Sequence, residues 1–130
     1  MGGFVAEVVS SRKVRTITIQ VRDKAGGPAS GARVSFGIDG ADFGSAAVSG
    51  TGKVTFQMSG AATTIHVFAD FVGDAQQVAL PPGEDIYTFH FDKTNLFMSD
   101  SVPEARCPDG TTGQPCVNCD IGGTTVRICA

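Results

Sequence analysis

Residues 14 to 22 read V-R-T-I-T-I-Q-V-R, and this stretch decides the fold class. Ile17, Ile19 and Val21 fall on one side of a two-residue repeat, and Thr16, Thr18, Gln20 and Arg22 on the other. Successive side chains of a strand point to opposite faces, so this alternation describes a half-buried β-strand. The helical period is missing from nearly all of the chain. Period two returns with Val34, Phe36 and Ile38, and again with Val54, Phe56 and Met58. Residues 64 to 71 alternate Ile65, Val67, Ala69 and Phe71 against His66, Phe68 and Asp70, apolar enough on both faces for a central strand. Tyr87, Phe89 and Phe91 share a face of a later strand, and residues 4 to 9 make a less regular additional first strand.

Between these stretches lie Asp23-Lys24-Ala25-Gly26-Gly27-Pro28, Gly50-Thr51-Gly52, Ser59-Gly60 and Leu80-Pro81-Pro82-Gly83. Glycine supplies positive φ and proline presets φ near −65°, so each is turn chemistry. Strands separated by such turns every ten to fifteen residues or so predict an all-β, immunoglobulin-like antiparallel sandwich of about seven strands. A chain of 130 residues, with nine Phe and no Trp, can bury one core of that kind. The character changes near residue 95. Residues 1 to 94 are expected to form the sandwich, and residues 95 to 130 a Cys-rich irregular tail, ending in a strand over residues 124 to 129 and packed on the sandwich.

That tail holds all four cysteines, Cys107, Cys116, Cys119 and Cys129. An even count in a Gly/Pro-rich segment reads as a disulfide staple, with roughly 2–3 kcal/mol per bridge from loop closure. Three pairings remain open, Cys116 to Cys119 the least attractive because its loop is so short. The minority alternative is a Zn site on the four thiolates, which needs two C-x2-C knuckles and finds one. No cofactor is expected otherwise.

Residues 16 to 92 resemble the carboxypeptidase regulatory-like domains of the transthyretin-like (prealbumin-like) sandwiches. The resemblance lies in T-I-T-I-Q-V-R-D-K-A-G-G-P-A-S-G-A-R-V-S-F, with Asp23 closing a strand, Gly26 or Gly27 and Pro28 in the turn, then Gly31, Ala32 and Val34. Gly52-Lys53-Val54-Thr55-Phe56 and residues 79 to 84 look like later elements of the family. The resemblance implies accessory, adhesive or carbohydrate-adjacent roles. The related 5-hydroxyisourate hydrolases need an early histidine and a C-terminal Tyr-Arg-Gly-Ser motif; here no His precedes His66 and the chain reads Val126-Arg127-Ile128-Cys129-Ala130.

No Gly-x-Ser-x-Gly elbow surrounds Ser30, Ser45 or Ser49. Asp39, Asp42, Asp70 and Asp74 read as turn and edge residues, and Asp39-Gly40-Ala41-Asp42 lacks the ligand spacing of an EF-hand. His66 and His90 sit on the polar side of their strands, where they would share a metal only if those strands paired. The expectation is no enzyme.

A net charge of −3 gives no global nucleic-acid footprint, and no apolar run is long enough for a membrane span. The charge is divided unevenly. Residues 12 to 33 carry six basic residues against one acid, and residues 34 onward eleven acids against four bases. Solvated strand faces explain such a division, and so does head-to-tail docking between copies. The function expected first is a non-catalytic, self-assembling structural module whose protein partner is itself or a surface assembly, with residues 1 to 9 or 124 to 130 as a donor strand. The alternative is a protein- or glycan-binding accessory module using loops at one end, with Asp42, Phe43 and Lys53 exposed there. The Cys-rich tail favours an extracellular or cell-surface site; the absence of a visible signal peptide leaves the cytoplasm as the other.

Overall fold

A computed structural model describes residues 14 to 59, 63 to 95, 102 to 121 and 123 to 130. The described residues contain no helix. Their strands are β1 (Val14–Arg22), β2 (Arg33–Ile38), β3 (Ala41–Ala47), β4 (Lys53–Ser59), β5 (Ile65–Phe71) and β6 (Asp74–Leu80). They continue with β7 (Ile86–His90), β8 (Ala105–Arg106), β9 (Thr112–Gly113), β10 (Cys116–Ile121) and β11 (Thr124–Cys129). Two sheets result, ordered β10-β11-β4-β1-β7 and β6-β5-β2-β3-β8-β9. The molecule is a β-sandwich. The expected first strand over residues 4 to 9 lies outside the described residues.

The alternation in β1 does what its period requires, burying Ile17, Ile19 and Val21 completely. Val54, Phe56 and Met58 of β4 and Ile65, Val67, Ala69 and Phe71 of β5 are buried in the same manner. Phe56 stacks on Phe36 with centroids 4.7 Å apart and on Phe43 at 6.0 Å, while Phe71 meets Phe91 edge-on at 5.6 Å. Stacked and edge-on rings of this kind add to area burial. In β2 the expected inward position of Ile38 is only half-buried, because the register shifts between Phe36 and Gly37. A bulge of this sort turns the following side chains and bends the strand.

Arg15 is in phase with the buried isoleucines of β1 and is buried too. Its guanidinium donates from Nε to Asp85 Oδ1 at 2.9 Å, from Nη1 to the Thr63 carbonyl, and from Nη2 to the carbonyls of Leu80, Pro81 and Glu84. A buried cation is tolerated when its donors are satisfied in this way. Arg15 thereby ties β1 to the connection between β6 and β7.

Two expectations need correction. The pairing is not antiparallel throughout, since β7 runs parallel to β1 with Thr18 opposite Ile86 and Arg22 opposite His90. The chain crosses from the second sheet at the end of β6 to the first at β7, and so enters with the direction of β1. The segment from residue 105 onward is also more regular than an irregular tail. Of its strands, β8 pairs with β3, β10 with β11, and β11 with β4. Ala105, Cys107, Val117, Cys119, Val126 and Ile128 belong to the same buried cluster as the rest. A Cβ on Gly44 of β3 would collide with the Arg106 carbonyl oxygen, and Gly44 itself has φ of +127°, so only glycine lets β8 lie this close.

Candidate functional site

All four cysteines are paired, Cys107 with Cys119 and Cys116 with Cys129. Cys107 follows β8 in one sheet and Cys119 lies on β10 in the other, so the first bond joins the sheets. Cys116 and Cys129 face each other across β10 and β11. No thiolate is left for zinc, and among the described residues no group of three His, Cys, Asp or Glu is arranged to hold a metal.

On one side of the sandwich, where β9 and β10 end their sheets, the Cys107–Cys119 bond ties the two sheets together. The opposite side is different. There, among the described residues, β6 ends one sheet and β7 the other, each with one flank unpaired and no disulfide between them. The two edges are linked by side chains, with Gln76 Nε2 donating to the His90 carbonyl at 2.8 Å and Lys93 Nζ lying 3.1 Å from Asp74 Oδ1. Neither strand contains a lysine or a proline, the residues that commonly blunt a sheet edge. Ile86 at the start of β7 is 72% exposed.

Beside the β6 edge, on the outer face of its sheet, lies a groove of about 800 Å³. The strand register explains its shape. Ser45, Ser35, Phe68 and Gln77 form one row across β3, β2, β5 and β6, with Arg33, Asp70 and Ala75 in the row on one side and Gly37, His66 and Ala79 on the other. Ser35 and Gln77 flank Phe68 within its row, Gly37, Ala75 and Ala79 leave space in the adjoining rows, and Phe68 is 43% exposed. Asp39, from the β2–β3 turn, places Oδ1 2.9 Å from His66 Nε2. Asp42 also lines the groove and accepts a hydrogen bond from the Gly44 backbone N–H at 2.9 Å. Lined by three carboxylates and by neither lysine nor arginine, the groove favours cationic or neutral hydrogen-bonding ligands over anions.

The residues expected to form an exposed ligand loop are dispersed. Phe43 is only 3% exposed, pointing inward from β3 onto Phe56, which corrects its expected exposure. Lys53 opens β4 opposite Gln20 and does not line the groove that Asp42 lines. His66 and His90 are on different sheets, so their strands do not pair. The 124 to 130 segment is also unsuited to donation as a strand, because β11 is paired on both flanks. Sequence reasoning did not single out Phe68. Its signal was a large apolar residue at the polar phase of β5.

Comparison with known proteins gives no matching family model, curated protein or solved structure.

A smaller hollow of about 280 Å³ beside the Cys107–Cys119 bond is lined by Asp42, Asp109 and Asp120 among others. Asp109 Oδ1 accepts the Thr111 backbone N–H at 2.9 Å. That bond, with a second from the Thr111 side chain, holds the Asp109 carboxyl below the usual carboxylate range. Its role is to shape the turn.

Proposed function

We propose that the chain is a non-catalytic structural module of an extracellular assembly, whose copies join by adding a strand to the open β6 edge. The observation that carries this reading is the difference between the two sides: a disulfide ties the sheets together beside β9 and β10, whereas among the described residues the β6 and β7 edges are joined by side chains alone. An extended segment laid along β6 satisfies its free backbone groups, and side chains of alternate residues supply specificity. Residues 4 to 9, F-V-A-E-V-V, have the apolar and β-branched composition of a donor. The two disulfides fit an oxidising setting. The resemblance of residues 16 to 92 to the carboxypeptidase regulatory-like domains, with their adhesive roles, is part of the same proposal.

Sedimentation velocity over a wide concentration range tests it. The full chain is expected to associate with increasing concentration, and Phe4→Asp combined with Val8→Asp to abolish the association while leaving the thermal melt unchanged. A chain that stays monomeric at every concentration overturns the reading.

A further inference from the structure

We propose that the groove around Phe68 receives the Arg12-Lys13 pair of a second copy, adding charge pairing on the sheet face to strand addition at the neighbouring edge. This inference rests on the self-association proposed above and names the second surface that association uses.

The groove presents Asp39, Asp42 and Asp70 with neither lysine nor arginine among the residues lining it; His66 lies 2.9 Å from Asp39, and Arg33 is opposite Asp70 across the strands. Asp39 and Asp70 are both exposed. Phe68 lies on β5 between Asp70 and His66, the residue that contacts Asp39, and its exposed aromatic ring can receive a cation. The complementary charge is in the same chain, since residues 12 to 33 hold six basic residues against one acid. Of these, Arg15 is buried and committed to Asp85 and four carbonyls. Arg12 and Lys13 are adjacent to one another and follow the donor residues 4 to 9 by a short Ser10-Ser11 stretch.

Position supports a neighbouring copy as the source. Ala75, Gln76 and Gln77 of β6 line the groove, so a strand added along β6 runs beside it. Along β5 the groove extends from His66 to Asp70, roughly 13 Å at the rise of a strand. Within one copy, Arg12 is two residues from Val14, which begins a strand of the other sheet.

Charge reversal and its rescue test the inference in the full-length chain, by sedimentation velocity at physiological salt. Asp39→Lys with Asp70→Lys, and separately Arg12→Glu with Lys13→Glu, are each expected to weaken self-association by about tenfold. Mixing or combining the two sets is expected to restore it, and added salt to weaken the parent association. The milder Asp39→Asn with Asp70→Asn checks that the groove variant is not merely misfolded, its melt staying that of the parent. Association that neither reversal changes overturns this inference and leaves strand addition standing. Association sensitive to the charge swap but not to Phe4→Asp with Val8→Asp overturns strand addition and leaves the groove pairing. A monomer at all concentrations overturns both, as does a groove whose resonances respond to the charge swap without any concentration dependence, which would place the arm of the same copy there. Saturable binding of a neutral oligosaccharide at Phe68 that leaves association untouched also overturns it.

Discussion

Cys107 is bonded to Cys119 across the two sheets, whereas Cys116 and Cys129 bond within one sheet, and the two links therefore restrain different motions. The inter-sheet bond holds β8 against β10 at the side where the strands are shortest. Its loop spans 12 residues, for which the chain-entropy model gives roughly 3 kcal/mol.

Replacing Cys107 and Cys119 together by alanine is accordingly expected to lower the melting temperature by about 10 °C for a domain of this size. Scanning calorimetry of the oxidised parent and the double variant makes the comparison. A change within about 2 °C would mean that the hydrogen bonds and packing of β8 and β10 hold that side unaided.

Arg15→Met would leave its carbonyl partners and Asp85 without the guanidinium. The expected cost is about 3 kcal/mol or more, and Arg15→Lys should recover only part of it, because an ammonium cannot reproduce the planar fork. Urea unfolding measures both. Equal stability of the lysine variant and the parent would show that the charge alone matters.

The β5–β6 turn carries a mismatch that can be relieved. Val72 has φ of +49° and Gly73 φ of +83°, the signature of a two-residue turn with both central residues left-handed. A β-branched residue is poorly suited to that region, and Val72 is 48% exposed, so little packing depends on it. Val72→Asn is expected to stabilise the fold by about 1 kcal/mol. A loss of stability in urea unfolding would contradict the assigned turn.

The sign of the Asp109 effect can be stated. Its folded carboxyl lies below its unfolded value because of the Thr111 bonds. Its contribution is present above the unfolded pKa and is lost as the pH falls through the lowered folded value. Titration by NMR should place the Asp109 midpoint below that of Asp in an unstructured peptide. An ordinary midpoint would mean that the turn bond does not persist in solution.

Legibility in the sequence followed the hydrophobic alternation. β1, β4 and β5 could be read because each buries one face with bulky residues, as Ile17, Phe56 and Val67 show. β3 could not, because A-D-F-G-S-A-A fills its inward positions largely with small residues, and its one Phe looks like a loop residue until Phe43 is seen against Phe56. β6 was hidden by the polarity of D-A-Q-Q-V-A-L, which suits an edge strand with little to bury. β8 and β9 are two residues each, too short for any period. The disulfides were expected, but their pairing depends on which strands become neighbours. That same dependence concealed the groove, since Phe68 and Asp70 share a face of β5 already in the sequence, but Asp39 joins them only through the β2–β5 register and the β2–β3 turn.

The position of β11 between β10 and β4 bears on how the molecule is made. Val126 lies opposite Met58, just over half the chain apart, so this pairing closes a large loop and is slow to find. During synthesis the flank of β4 that will receive β11 is available long before its partner exists. A growing chain must therefore carry an unprotected strand edge for much of its translation, and any helper that prevents premature association has to act on that interval.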